Sequence, residues 1–167
     1  FGKLINFKFS EISKDSEKMA KALVAGQKQI GCDGIYAGWE SSFNLVAEAM
    51  GCKMRVPEDG VPSIDGSLVK QITDLDKVRI PDPLRAGRLP IHVQTTKTIR
   101  ETVGRNLPIF TYVPGPLTLS GLLRKTEVLM VDLNKNPSLI HSLNKMTTEA
   151  SKAFALAKID KGADIVV

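Results

Sequence analysis

Two copies of one short pattern constrain the fold more strongly than any other feature of this sequence. Gly31-Cys-Asp-Gly-Ile35 and Gly162-Ala-Asp-Ile-Val166 each follow a stretch of helical spacing and open an apolar run. Glycine commonly ends a helix because it adopts the left-handed conformation, and a short apolar run after it indicates a buried strand. Helices that alternate with buried strands predict a parallel sheet whose connections are right-handed.

The number of such strands limits the architecture. Strands are predicted to begin near residues 34, 107 and 165, whereas a closed (β/α)8 barrel needs eight strands and about 250 residues. The chain of 167 residues therefore predicts an α/β fold: a partial (β/α)8 TIM barrel with about half of the strands and with outer helices, or else an open sheet. We expect residues 1–167 to form a single segment, from which residues 52–66, rich in turn formers, depart as a loop or small hairpin.

Periodic apolar residues and helix-capping residues predict the helices. One helix starts within residues 13–16, with Asp15 or Ser16 as its cap, and is ended by Gly31. The longest helix begins at Pro137, which suits a first helical position, and ends before Gly162. Its apolar stripe is expected to pack in the core. The other predicted helices cover residues 43–50, 67–72, 89–103 and 127–133, and one begins near residue 118.

Charge and composition exclude several classes of function. The formal net charge is +5. The basic residues are spread along the chain and do not form the clustered basic patch that is typical of nucleic-acid-binding proteins. No apolar run approaches the roughly 18 residues that a membrane span requires, and no signal-peptide pattern is present. We therefore expect a cytoplasmic protein that binds neither nucleic acid nor a membrane. Cys32 and Cys52 form no CxxC pair, and we expect two buried, reduced thiols.

A strand, a tight turn and a helix start follow one another in residues 107–122. The apolar run ends at Val113, Pro114-Gly-Pro116 turns the chain, and a helix-like segment begins near Thr118. In an α/β protein this junction lies at the carboxyl end of the sheet, where ligands bind. Proline fixes φ, and glycine allows a ligand to approach the backbone closely. The turn is therefore a candidate ligand site, and the alternative is a turn without ligand contacts.

Several short motifs occur in one order along the chain. They are Asp15-Ser-Glu-Lys-Met-Ala20, Asp33-Gly-Ile-Tyr36, Ala47-Glu-Ala-Met-Gly51, Glu58-Asp-Gly-Val-Pro62, Gly115-Pro-Leu-Thr118 and Gly162-Ala-Asp164. From residue 16 to residue 167 the chain resembles the uroporphyrinogen decarboxylase superfamily, a group of (β/α)8 barrels. That superfamily contains the true decarboxylases and the methylcobamide:coenzyme M methyltransferases.

The resemblance implies a test for the decarboxylase branch. Those enzymes use an Asp beside the second barrel strand to accept the pyrrole N–H groups of a tetrapyrrole, as an ionised carboxylate can. That position falls on Ser42 or within one residue of it, and Glu40 is the only nearby acid. Decarboxylases also place a Tyr in the helix after the Gly-Pro-x-Thr turn, where this chain has Leu122. Uroporphyrinogen decarboxylation in porphyrin biosynthesis is therefore the alternative function.

The methyltransferase branch is the main expectation from the resemblance. Its members move a methyl group from a methylcobamide to a thiol such as coenzyme M, using zinc held by a His-x-Cys pair and a later Cys. No His-x-Cys occurs here, so no cofactor is evident within this segment, and zinc is expected in the full-length parent if that is a methyltransferase. His92 and His141 match no ligand position and are expected in surface or packing roles.

The resemblance also implies where a substrate pocket lies, although it names no catalytic residue and no metal ligand. Backbone N–H groups near the start of the helix would bind an anionic group such as a sulfonate. The expected ligands are a thiol and a methylcobamide, or else a tetrapyrrole, with a corrinoid protein as a candidate partner. The residues expected to line the pocket are Glu40, Ser42, Asn44, Gly115, Pro116 and Thr118.

A third, non-catalytic hypothesis follows from the predicted half barrel. The chain begins at Phe1 rather than Met and ends on the apolar run Ile165–Val167, which we interpret as a segment cut from a longer protein. A half barrel has two sheet edges that can pair with another copy of itself. We expect the isolated segment to lack catalysis and to form homodimers through these edges.

Overall fold

The computed structural model describes residues 5–38, 42–55 and 62–167, without the side chain of Ser42. The strands are β1 (Ile35–Tyr36), β2 (Met54–Arg55), β3 (Ser63–Ile64), β4 (Ile109–Thr111) and β5 (Ile165–Val166). The helices are α1 (Phe9–Ile12), α2 (Ser16–Ile30), α3 (Ser42–Ala49), α4 (Leu89–Val103), α5 (Pro116–Arg124), α6 (Thr126–Lys135) and α7 (Pro137–Asp160), with a 3-10 helix at Ile72–Lys77. Of the helices in these ranges, none is long and apolar enough to cross a membrane.

The main sheet contains the three predicted strands. Its order is β1-β4-β5 and both pairings are parallel, with Ile35 opposite Ile109 and Phe110 opposite Ile165. The strands β2 and β3 form a separate antiparallel pair, in which Met54 lies opposite Ile64. Helices precede each strand of the main sheet, so the α/β class with parallel strands is confirmed.

Two hydrophobic cores support the sheet and its connections. In the first, the sheet residues Ile35 and Ile109 are buried against α2 and α4. The second lies among α3, α5, α6 and α7, of which α3 and α5 follow the carboxyl ends of β1 and β4. The predicted apolar stripe of α7 contributes to this second core through Leu139, Ile140, Leu143, Ala150 and Phe154.

Helix ends follow the capping residues closely. Asp15 caps α2 by accepting hydrogen bonds from the backbone N–H groups of Glu17 and Lys18. Gly31 ends the same helix in the left-handed conformation, with φ of 77°. The helix predicted over residues 89–103 and the start predicted at Pro137 are both confirmed. Local sequence therefore defines these ends because the capping groups are near neighbours in the chain.

The helix predicted over residues 67–72 is wrong. Instead, the N–H groups of Leu68 and Val69 both donate to the carbonyl oxygen of Leu123, at 2.9 and 3.0 Å. This segment therefore caps the carboxyl end of α5 rather than making its own helical bonds. The carboxylate of Asp74 accepts from the N–H groups of Lys70 and Gln71, and the helix starts only after them, as a 3-10 helix.

The expectation that both cysteines are buried is wrong for one of them. Cys52 is buried, and burial raises the pKa of its thiol to about 11. Cys32 is exposed because it lies in the turn between the end of α2 and β1, at the surface of the protein.

The second copy of the Gly-x-Asp pattern joins β5 to β4. The N–H of Asp164 donates to the carbonyl oxygen of Ile109 at 2.8 Å, and the Asp164 carboxylate accepts from the N–H of Ile109 at 2.7 Å. Arg100 of α4 donates to the same carboxylate and to the carbonyl oxygen of Gly162. The pattern thus ends α7 and begins β5 with hydrogen bonds to the central strand.

One buried cation links three elements near the end of β1. Lys158 of α7 is 1% exposed, and its Nζ donates to the carbonyl oxygens of Ala37 at 2.6 Å and His92 at 3.2 Å. Ala37 follows β1 and His92 lies in α4. Burial lowers the pKa of the Lys158 ammonium to about 7, because the low-dielectric interior disfavours the charged form.

This burial predicts how stability depends on pH. Between pH 7 and the ordinary lysine value of about 10.5, the unfolded chain keeps a proton that folded Lys158 has released. The free energy of unfolding should therefore rise with pH across this window, by at most about 1.4 kcal/mol per pH unit. Urea unfolding of the wild type at several pH values measures this slope.

Two variants test whether Lys158 causes this dependence of the free energy of unfolding on pH. Lys158→Met should flatten it, whereas Lys152→Met, at an exposed position of the same helix, should retain it. Equal slopes in both variants would contradict a lowered pKa for Lys158, whatever the absolute stabilities are.

Candidate ligand site at the carboxyl edge of the sheet

The turn after β4 has the predicted strand–turn–helix form. β4 ends at Thr111, and the N–H of Val113 still donates to the carbonyl oxygen of Val167 at 2.9 Å. Gly115 then caps α5, and Pro116 occupies its first turn. The start of α5 therefore lies directly beyond the carboxyl ends of two paired strands.

The long helix α7 holds this turn in place. Ser151 Oγ donates to the carbonyl oxygen of Pro114 at 2.7 Å, and Thr147 Oγ1 donates to that of Pro116 at 3.0 Å. Ser120 of α5 also donates to Asn144 Oδ1 of α7, at 2.7 Å. These three contacts fix the turn and the first turns of α5 on one rigid element.

The amino end of α5 is exposed and carries no side-chain cap. Gly115 has no side chain to accept from the first N–H groups, and the residues from Gly115 to Thr118 are all exposed. Because Pro116 has no N–H, the accessible donors of the first turn are those of Leu117 and Thr118. Such donors, with the partial positive charge of the helix end, suit an anionic group.

Of the three residues expected after β1, only Asn44 has a described side chain. Glu40 and the side chain of Ser42 lie outside the described part of the structure, although Ser42 begins α3. Asn44 Nδ2 donates to the carbonyl oxygen of Pro62 at 2.8 Å, so this amide holds the chain that enters β3. Of the six expected residues, the structure places Gly115, Pro116 and Thr118 together on one turn.

Three aromatic side chains lie on the sheet face opposite the α2–α4 core, and the sequence reasoning did not single them out. The Tyr36 ring is centred 5.7 Å from that of Phe110 and 5.2 Å from that of Tyr112, and the last two are 6.0 Å apart. Tyr112 directly follows β4 and is 39% exposed. Their alternation with buried Ile35, Ile109 and Thr111 is the period-2 signal that marks one face of a sheet.

Gly38 lies directly against the Tyr36 ring. A Cβ added at Gly38 would lie 2.4 Å from the Cζ and the hydroxyl oxygen of Tyr36, far inside van der Waals contact. At Gly115, by contrast, an added Cβ would meet only Thr118 Oγ1, at 3.9 Å, and φ is −62°. A side chain at position 38 would therefore displace the Tyr36 ring, whereas at Gly115 the backbone accepts any residue.

The described residues do not fit a zinc site. Within the described ranges, no three His, Cys, Asp or Glu side chains are grouped so that they could hold a metal ion. His92 is buried, and burial together with the charges of Lys158 and Arg88 lowers its pKa well below the ordinary value. The raised pKa of Cys52 keeps its thiol protonated, which is the wrong form for a metal ligand.

Comparison with known families gives one match over nearly the whole chain. The model of the family described as uroporphyrinogen decarboxylase (URO-D) matches residues 3–167. Among solved structures, a methyltransferase from Methanosarcina mazei superimposes with a TM-score of 0.88 at 28% sequence identity, over 99% of this chain and 48% of that one.

The curated relatives belong to two groups. A methylcobamide:CoM methyltransferase, MtaA of Methanosarcina barkeri, is 29% identical over 158 residues, or 93% of this chain. MtbA of Methanosarcina mazei is 28% identical over the same share. A uroporphyrinogen decarboxylase of a Brugia malayi Wolbachia is 22% identical over 75% of the chain. The chain spans about half the length of the methyltransferases, 45% in each case.

A double-mutant cycle tests the packing of Tyr36 on Gly38. Gly38→Ala should lower the free energy of unfolding by about 1–3 kcal/mol, because the added methyl group displaces the ring. The same change in a Tyr36→Ala background should cost less than about 0.5 kcal/mol. Gly115→Ala is the matched control and should be close to neutral in either background. A cost at Gly38 that persists without the Tyr36 ring would contradict this contact.

Proposed function

Since the chain belongs to the uroporphyrinogen decarboxylase (URO-D) family, we propose that the protein moves a methyl group from a methylcobamide to a thiol such as coenzyme M. The observation that carries this proposal is the likeness of nearly the whole chain to methylcobamide:CoM methyltransferases, with decarboxylases matching less of it and at lower identity. The likeness in fold to a solved methyltransferase supports it over the same length.

Two positions of the chain support methyl transfer over decarboxylation. Leu122, where the decarboxylases are expected to have a Tyr, is half-buried and packs against the second core. An aliphatic side chain there offers no hydrogen bond to a tetrapyrrole. Ser42, at or beside the expected Asp position, has a neutral hydroxyl instead of a carboxylate, which is a weaker acceptor for several N–H groups.

The proposed role of this chain is to bind and orient the anionic end of the thiol substrate. The N–H groups of Leu117 and Thr118 would donate to a sulfonate or a similar group, in the setting provided by Gly115 and Pro116. The hydrogen bonds from Thr147 and Ser151 keep this donor pair from moving. Glu40, Ser42 and Asn44 remain proposed as the part of the pocket wall that follows β1.

Zinc would act in this reaction by favouring the thiolate form of the acceptor. The described residues do not form a site for it, so we assign no step to zinc here. The contribution we propose for this chain is limited to substrate binding, and a corrinoid protein is the proposed methyl-donor partner.

Uroporphyrinogen decarboxylation is the second candidate, favoured by the decarboxylase relatives. A non-catalytic role in self-association is a third, because β1 and β5 are the outer strands of the main sheet as described. A strictly monomeric mass over a wide concentration range in light scattering would count against self-association.

A methyl-transfer assay on the full-length parent protein tests the main proposal. With methylcobalamin, coenzyme M and zinc, we expect loss of the methyl–cobalt absorbance and formation of methylated thiol. Uroporphyrinogen incubated under the same conditions should keep its carboxyl groups. Decarboxylation without any methyl transfer would reverse the order of the two candidates.

Gly115→Asp tests the anion-binding role of the helix start. An Asp at this position would cap the N–H groups of α5 and place a negative charge beside them, so the helix should stay folded or gain stability. The KM for coenzyme M should rise at least about tenfold, equivalent to about 1.4 kcal/mol of lost binding. The KM for an uncharged thiol such as 2-mercaptoethanol should change little.

The control for this prediction is Gly115→Ala, which adds neither a cap nor a charge. Its KM for coenzyme M should stay close to that of the wild type. If the KM values for charged and uncharged thiols rise together in Gly115→Asp, the helix start is not the anion site.

A further inference from the structure

One cavity is built from parts of the chain other than the turn after β4. It has a volume of about 710 Å³, within the usual range for small-molecule sites of about 300–1,000 Å³. Its described walls are residues 51–53 just before β2, residues 64–68 at and after the end of β3, residues 70, 71, 74 and 77 at the 3-10 helix, and Lys125 between α5 and α6. Of the residues expected at the sheet edge, the four that the structure describes fully, Asn44, Gly115, Pro116 and Thr118, do not line it.

The lining of this cavity is rich in positive charge. Four lysines from separate segments line it: Lys53, Lys70, Lys77 and Lys125. The lining carboxylates are those of Asp65 and Asp74. Among the described lining residues, four ammonium groups against two carboxylates leave an excess of positive charge.

The two carboxylates are engaged with groups of the protein. Asp74 is buried and accepts from two backbone N–H groups and from Lys77 Nζ, the last at 2.6 Å. Asp65 faces Arg55 at 3.8 Å. They therefore neutralise Lys77 and Arg55 first, and the charges of Lys53, Lys70 and Lys125 stay available to a ligand.

The backbone that carries these lysines is well anchored. The carbonyl oxygen of Leu123 accepts from the N–H groups of Leu68 and Val69, which fixes the segment before Lys70 on the end of α5. The N–H of Asp65 donates to the carbonyl oxygen of Lys53 at 2.8 Å. The ammonium groups can therefore adjust to a ligand on their flexible stems, while the frame of the cavity stays in place.

We propose that this cavity binds a phosphate-bearing small molecule of the nucleotide type. Lysine binds phosphate as a point charge, whereas planar carboxylates are held best by the arginine fork, and no arginine is among the described residues that line the cavity. Ile64 and Leu68 supply an apolar surface for the uncharged part of the ligand. This binding is independent of the methyl-transfer reaction.

Titration calorimetry of the chain with inorganic tripolyphosphate, ATP and adenosine tests the proposal. ATP should bind at least as tightly as tripolyphosphate, and adenosine should not bind. Higher salt should lower the affinity for both phosphate compounds. Amide NMR shifts on ATP addition should be concentrated at residues 51–53 and 65–71. Absence of binding by both phosphate compounds at about millimolar concentration, or weaker binding of ATP than of tripolyphosphate, would overturn it.

Two matched double variants test whether ATP binds in this cavity. Lys70→Ala with Lys125→Ala should weaken ATP binding at least about tenfold. Lys145→Ala with Lys152→Ala removes the same charge from exposed positions of α7 that do not line the cavity, and should change binding less than about twofold. All four lysines are exposed, so the fold should be kept, and equal losses in the two double variants would show that only net charge matters.

Discussion

The hydrogen bonds donated by the buried amino group of Lys158 are the interaction on which the arrangement of the sheet edge depends. They join α7 to the chain just after β1 and to α4, through the carbonyl oxygens of Ala37 and His92. The same helix holds the turn after β4 through Thr147 and Ser151. One helix therefore holds both the end of β1 at Ala37 and the turn after β4. Removal of this amino group would leave the buried carbonyl oxygens of Ala37 and His92 without this donor, which is costly in a low-dielectric interior.

The two proposed binding regions differ in how they attract an anion. At the start of α5, backbone N–H groups and the helix end supply a fixed partial charge, which suits one small group held in one orientation. In the lysine-lined cavity, full charges on flexible stems surround a larger volume, which suits a ligand with several negative charges. The URO-D family relationship bears on the first region, whereas the second rests only on the geometry and charge of this chain.

Sequence reasoning succeeded where the determining groups are close in the chain. The cap at Asp15, the glycine at Gly31 and the bounds of α4 all depend on contacts within a few residues. It failed for residues 67–72, because their N–H groups bond to Leu123, more than fifty residues away in the chain. At the candidate site it identified the turn at Gly115, but the engagement of Asn44 by Pro62 and the aromatic group around Tyr36 depend on contacts between elements.

The sequence by itself determined the parallel α/β class, the three strands of the main sheet with the helices that precede them, and the strand–turn–helix form after β4, because periodicity and capping are local properties of the chain. Only the tertiary structure decided which charges and rings share a space. The lysines lie far apart in the sequence and looked evenly spread, yet folding brings Lys53, Lys70, Lys77 and Lys125 around one cavity. Likewise, nothing in the sequence distinguishes Lys158 from the surface lysines, and only the packing of the helices buries it. Such effects depend on distance and burial, which no spacing along the chain encodes.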